Sequence, residues 1–140
     1  MKRSSIITFI AIAAFAIAAA CKSTSNASTG KPIASTAINN LTATLSNSTG
    51  QLKQGDQEVT LAFTDSSGKP VDVGAVSLNL HMPAMGGMTA MNDAVTFTTT
   101  DTPGIYLGKV NIGMAGEWQA QLAYEGPAGK GKTTFSVTTR

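Results

Sequence analysis

The residues of this chain that could do chemistry are mostly methionines, and they cluster in one short segment. Met82, Met85, Met88 and Met91 recur every three residues directly after the only histidine, His81. A thioether sulfur is a soft ligand that suits Cu(I), and imidazole binds several transition metals. Outside the cytoplasm thiols tend to be oxidised to disulfides, whereas methionine offers soft ligation without a thiol. The segment is therefore a candidate Cu(I) site.

A sixth candidate ligand, Met114, lies in the short turn from Gly113 to Gly116. Pro83, Gly86 and Gly87 would allow the methionine-rich loop to fold back so that its sulfur atoms converge. The predicted metal ligands are His81, Met82, Met85, Met88, Met91 and Met114.

Two other interpretations of the same segment stay open. Methionine is a flexible filler of irregular core space, so the loop could simply cap a β-sheet core. If a strand runs through His81 and Met82, their side chains point to opposite faces, and only Met82 joins the core. The segment could also form a soft apolar surface on which another protein docks.

Other kinds of site are poorly supported. A structural zinc ion usually takes four Cys or His ligands, and this chain has one of each. The eight acidic residues do not form a calcium loop. No nucleophile elbow or phosphate-binding loop is present, so the chain is predicted not to be an enzyme.

The first twenty residues have the pattern of a secretion signal. Lys2 and Arg3 precede an apolar run from Ile6 to Ala20 that is broken only by Thr8. The run is short for a membrane-spanning helix, which needs about 20 apolar residues. Residues 1–20 are therefore predicted to be a signal peptide.

Three alanines stand directly before Cys21 and resemble the lipobox of bacterial lipoproteins, although Ala18 takes the place of the usual leucine. The resemblance implies that Cys21 carries lipid and anchors the chain to a membrane. Lys22 stands where an aspartate favours retention in the inner membrane, so the outer membrane is the expected location. A secreted protein with a free thiol, or an uncleaved anchor, remains the alternative.

The remaining chain divides into a tether and a domain. Residues 21–40 are rich in Ser, Thr, Ala and Asn without periodicity, which predicts a flexible linker after the lipidated cysteine. Residues 41–140 are predicted to form the folded domain. Removal of residues 1–20 takes away Lys2 and Arg3, so the formal net charge falls from +2 to zero, and nucleic acid is not expected as a partner.

Apolar residues alternate with polar ones throughout the predicted domain. Val59, Leu61 and Phe63 show this period of two, and so do six other short segments separated by Gly, Pro and Asp turns. No stretch has a helical period. Seven short strands in about 100 residues predict an all-β, immunoglobulin-like β-sandwich.

The region from about Gln57 to Val137 resembles the YtkA-like domain, which is related to FixH-like domains. The resemblance depends on ordered pieces of sequence: the strand Val59 to Phe63 with the Asp65–Pro70 turn, Val76 to Met82 leading into Met82-Pro83-Ala84-Met85, Pro103-Gly104-Ile105-Tyr106, and Met114-Ala115-Gly116-Glu117-Trp118. It implies a small immunoglobulin-like β-sandwich that is often exported or membrane-anchored, and it does not imply an enzyme.

Some proteins of this kind occur in settings linked to copper or to cytochrome oxidase assembly. The chain is also broadly similar to copper-resistance sandwiches of the CopC type, which use more histidines. The resemblance carries a metal role only to Met82 and Met85, within the Met-Pro-x-Met element. The predicted function is an envelope lipoprotein that binds Cu(I), and the alternative is a non-catalytic structural or protein-interaction module without metal.

Overall fold

A computed structural model describes residues 30–140, and the regular structure in that range consists of strands. In chain order the strands are β1 (Lys31–Ile38), β2 (Leu41–Asn47), β3 (Gly55–Thr64), β4 (Ala75–Met82), β5 (Met91–Thr99), β6 (Ile105–Ile112), β7 (Gly116–Gly126) and β8 (Gly129–Thr139). A membrane-crossing helix is not found within these residues. The predicted signal peptide, Cys21 and the predicted linker as far as residue 29 lie outside the described residues.

The eight strands are hydrogen-bonded in the order β1-β2-β3-β6-β5-β4-β7-β8, and every neighbouring pair is antiparallel. Strands β2 to β8 follow the order of the seven strands of an immunoglobulin-type sandwich, in which one sheet is ABED and the other is CFG. The first half of β5 pairs with β4 and its second half with β6, so this strand joins the two sheets. Because β1 also contacts β8, the sandwich is nearly closed like a barrel. The all-β, sandwich-like prediction is confirmed.

Strand β1 is the difference from the seven predicted strands. The linker was predicted to continue to residue 40, but Lys31–Ile38 forms a strand that pairs with β2. The sequence does not predict this strand because β1 lies at an edge and needs little apolar surface. Pro32 stands beside a register shift, and Ile38 is the one residue of β1 that is fully buried. The turn after it was a usable signal. Asn39 adopts a positive φ of 53° in the two-residue Asn39-Asn40 hairpin loop, a conformation that asparagine tolerates.

The core lies between the two sheets and is formed by the predicted alternating rows. Trp118 and Phe63 are fully buried, and Phe63 makes edge-to-face contacts with Tyr106 and Tyr124 at ring centroid distances of 6.0 and 5.6 Å. These aromatic side chains remove the largest apolar areas from water and so contribute most to stability.

The alternating strand directions place the loops at two ends. One end holds the beginnings of the odd-numbered strands and the ends of the even-numbered strands. We call it the methionine end, because it contains residues 82–91 and 113–115, together with Lys31, the 48–54 loop and Thr139. The opposite end holds the 65–74, 100–104 and 127–128 loops.

Candidate metal site in the methionine hairpin

Residues 82–91, the methionine hairpin, place four methionines as two cross-strand pairs. Met82 and Met91 are direct partners at the end of β4 and the beginning of β5. Farther out, Met85 and Met88 form an isolated antiparallel bridge, and the Met88 amide donates a hydrogen bond to the Met85 carbonyl at 2.9 Å. We call Met82 and Met91 the inner pair, and Met85 and Met88 the tip pair. The spacing of three that the sequence shows thus becomes a ladder of pairs.

The tip pair is exposed to solvent. The side chains of Met85 and Met88 have exposed fractions of 62% and 47%. Residues directly opposite each other in an antiparallel pair project to the same face, with Cβ atoms about 5 Å apart. The methionine side chain is unbranched and has three rotatable bonds, so the two sulfur atoms can reach one ion held between them.

The inner pair is packed into the methionine end of the core. Met82 is buried, with an exposed fraction of 4%, and Met91 is partly buried against the same core. Their methyl groups point toward the turn after β6: a Cβ added to Gly116 would lie 3.0 Å from Met82 Cε, and one added to Gly113 would lie 2.9 Å from Met91 Cε. The inner pair therefore meets the turn that carries Met114.

Met114 lies in the turn that joins β6 to β7, next to the inner pair. Its side chain packs against the core, and its carbonyl accepts a hydrogen bond from Trp118 Nε1 at 3.0 Å. Trp118 is fully buried, so this bond both satisfies a buried donor and fixes the turn beside the inner pair.

Asp93 also lies in this region, and it is not among the site residues predicted from the sequence. It lies within β5, two residues after Met91 and two before the buried Val95, which places it on the core-facing side of the strand. Its Oδ2 accepts a hydrogen bond from the Gly113 amide at 2.9 Å, and Gln54 Nε2 donates to the Gly113 carbonyl at 3.0 Å. The period-two row Met91, Asp93, Val95 was the signal that could have found it.

His81 lies on the other face of its strand. Its Nδ1 is 2.8 Å from Asn92 Oδ1, and Asn79 Nδ2 donates to the same oxygen at 3.2 Å. An amide oxygen can only accept, so Nδ1 is the donor in this contact. The row Ser77, Asn79 and His81 alternates with the core row that ends at Met82.

The structure therefore separates the six predicted ligands. It brings Met85 and Met88 together at the tip, gathers Met82, Met91 and Met114 at the end of the core, and turns His81 to the outer face. The strand continues through Met82, which is the condition under which His81 and Met82 do not share an ion. Within residues 30–140 there is also no group of three His, Cys, Asp or Glu side chains that could hold a metal.

Two shifted pKa values belong to the opposite end. Burial raises the pKa of the Tyr106 hydroxyl, which donates to the Gly74 carbonyl at 2.9 Å. The pKa of Asp65 is lowered, first by the hydrogen bond from the Ser67 hydroxyl at 2.6 Å and then by the Lys69 amide. These groups stabilise the 65–74 loop and lie a full strand length from the methionine hairpin.

Comparison with known proteins gives one match. A family model described as YtkA-like matches residues 35–123, a range that includes the methionine hairpin and the turn with Met114. The chain matches no curated protein and no solved structure.

Proposed function

This chain belongs to the YtkA-like family, and from that premise we propose that it is a lipid-anchored domain of the cell envelope that binds Cu(I) through its methionine hairpin. The proposal starts from a small all-β domain that belongs to this family. The observation that carries the copper proposal is the tip pair, in which two exposed thioethers lie opposite each other across a tight turn.

The chemistry of the tip pair favours a soft monovalent ion. Thioether ligands carry no charge, so they do little for a hard divalent cation that prefers carboxylates. Cu(I) accepts few ligands, and two sulfur atoms on one hairpin suffice for a low-coordinate site. Because Met85 and Met88 are both exposed, an ion bound between them is not enclosed by the domain and can exchange with a chelator or a second protein whenever the hairpin is free of other contacts. Such a site suits the handling and transfer of copper more than its permanent storage.

The envelope part of the proposal has its support in the first 22 residues. Charged, apolar and small residues precede Cys21 in the order of a lipoprotein signal, and Lys22 favours the outer membrane over the inner one. Export also explains why the candidate ligands are thioethers, because outside the cytoplasm free thiols tend to be lost to disulfides.

The proposal is tested by titrating the mature chain with Cu(I) against a chelator that competes for it. The variant M85L/M88L keeps the apolar character of the tip but removes both sulfur atoms, and it is expected to lose at least tenfold in affinity. The control M82L leaves the tip pair intact and should bind as the unchanged chain does. Equal affinity of M85L/M88L and the unchanged chain, with both folded, would refute the copper site.

A second candidate function is a non-catalytic interaction module without metal. It is favoured by the burial of Met82 in the core and by the outward position of His81, which leave an apolar tip and no mixed ligand set. The two functions respond differently to the same variant. Docking through an apolar tip should survive M85L/M88L and fail in M85S/M88S, whereas copper binding should fail in both.

A further inference from the structure

We propose that the methionine end of the sandwich rests against the bilayer that anchors the chain, so that Met85 and Met88 enter its headgroup region. The inference rests on the lipid attachment at Cys21 that belongs to the proposed function. It adds the surface that the methionine hairpin faces, and it commits to a lipid surface as the occupant.

The first support is the position at which the chain enters the sandwich. Lys31 begins β1 at the methionine end, and the methionine hairpin joins β4 to β5 at that same end. This follows from strand direction alone, since odd-numbered strands begin there and even-numbered strands end there. A lipid on Cys21 therefore pulls on the end that carries the tip pair.

The second support is the length of chain available. Eight residues lie between Cys21 and Gly30, and the nine steps from one to the other span at most about 32 Å when fully extended. A ten-residue strand such as β3 is about 33 Å long. The loops of the opposite end thus lie about one strand length farther along the sandwich from the attachment point, and the methionine end is the one that readily reaches the bilayer.

The third support is the chemistry of the tip. Among residues 30–140, Met85 and Met88 are the large hydrophobic side chains that stand exposed. The methionine hairpin, residues 82–91, contains no charged residue. An uncharged turn with two flexible apolar side chains can enter the boundary between headgroups and acyl chains at little desolvation cost.

Charge at this end does not select anionic lipid. Three cationic side chains are exposed there, Lys31, Lys53 and Arg140, and the exposed acids Asp56 and Glu117 offset two of them, so the net charge of the described residues is small. The contact should therefore depend on apolar burial and change little when anionic lipid is omitted.

The experiment uses the full lipidated chain in vesicles of phosphatidylethanolamine and phosphatidylglycerol. Because Cys21 is the only cysteine and is acylated in this preparation, a cysteine introduced by M85C, or by S66C at the opposite end, takes a fluorescent label selectively. Lipids that carry a nitroxide at the headgroup are expected to quench the M85C label several-fold more strongly than the S66C label. Equal quenching at the two positions, or none at M85C, would overturn the proposal, and so would the absence of acyl groups on Cys21 by mass spectrometry.

Two further arms separate this contact from copper binding and from other partners. With the label moved to A90C, M85L/M88L should keep the quenching, although it loses Cu(I), while M85S/M88S should lose it. Quenching that disappears when phosphatidylglycerol is replaced by phosphatidylcholine would show attraction by headgroup charge and contradict apolar docking. A label that the nitroxide lipids quench only after an envelope protein is added would show that the contact with the bilayer depends on that protein, and it would contradict direct docking on lipid.

Discussion

Met85 and Met88 lie directly opposite each other across the Gly86-Gly87 turn, with the Met88 amide bonded to the Met85 carbonyl. If both sulfur atoms hold one ion, M85L and M88L alone should each cost most of the affinity that the double variant loses. We expect at least a tenfold loss for each, about 1.4 kcal/mol. Competition titrations give the affinities, and X-ray absorption at the copper edge gives the number of sulfur ligands. Single variants that halve the number of copper ions bound, without changing the affinity of the remaining site, would instead indicate two independent sites.

The turn between these methionines gives a matched pair of variants. Gly86 has a φ of 58°, whereas Gly87 is not among the glycines with positive φ, and an added Cβ meets no atom within 4 Å at either position. We expect G86A to destabilise the hairpin by about 1–2 kcal/mol, because a side chain disfavours the left-handed conformation.

G87A provides the control for that change, since it adds the same methyl group to ordinary backbone. Copper affinity should fall in G86A and remain in G87A, as measured by the same titration. Backbone amide exchange at Met88 reports whether the turn has opened. Identical behaviour of the two variants would show that the turn does not position the thioethers.

His81 offers a test of the division between the two faces of β4. Its ring bonds to Asn92 on the outer face and does not share a face with Met82. H81A should therefore leave Cu(I) affinity within about twofold of the unchanged chain, a difference well under 1 kcal/mol. The same titration measures it, and a large loss would mean that the hairpin rearranges to bring imidazole and sulfur together.

Met82 should matter for stability more than for copper. It is buried beneath the hairpin, so M82A would leave a cavity and is expected to lower the free energy of unfolding by about 2–5 kcal/mol. M82L nearly conserves volume and should cost less than about 1.5 kcal/mol. Denaturant unfolding followed by the fluorescence of Trp118, the only tryptophan, gives both values. A M82L variant that folds normally but binds no copper would instead make the buried sulfur a ligand.

The opposite end has a pH response of its own. Burial raises the pKa of the Tyr106 hydroxyl above the ordinary value of 10.0, and the nearby carboxylate of Asp72 acts in the same direction. The folded state then binds more protons than the unfolded state above about pH 10, so this stabilisation is complete below that pH and disappears as pH rises further.

Y106F is expected to cost about 1 kcal/mol near neutral pH through the lost hydrogen bond. It should also remove this part of the decline in stability above about pH 10. Unfolding midpoints of both chains across that range test the sign. A decline in Y106F as steep as in the unchanged chain would assign the alkaline loss to other groups.

The β-strands were predictable because their signal is local. Every second residue is buried from Leu78 to Met82 in β4 and from Trp118 to Tyr124 in β7, and the turns between strands carry Gly, Pro and Asp. Strand β1 was not predictable in the same way, since its polar residues pair with β2 at an edge where little apolar surface is needed.

The candidate site was predictable in composition but not in geometry. The sequence shows that four methionines recur every three residues, yet it does not show where β4 ends. That one boundary decides whether His81 and Met82 point together or apart. The period-two row of β5 indicates that Asp93 faces the core, but its partner Gly113, twenty residues away, is not indicated by any local pattern.

The division of β5 between its two neighbours has a mechanical consequence for the whole domain. The first residues of β5 are hydrogen-bonded to β4 and its later ones to β6, so the backbone pairing is continuous on that side of the sandwich. Strands β1 and β8 contact each other but stand at the two ends of the hydrogen-bonded strand order. Breathing of the sandwich should then begin along the β1–β8 seam and use β5 as its hinge. In the lipid-anchored form that we propose, tension enters the domain at β1 and loads that seam before it reaches the hairpin that presents Met85 and Met88.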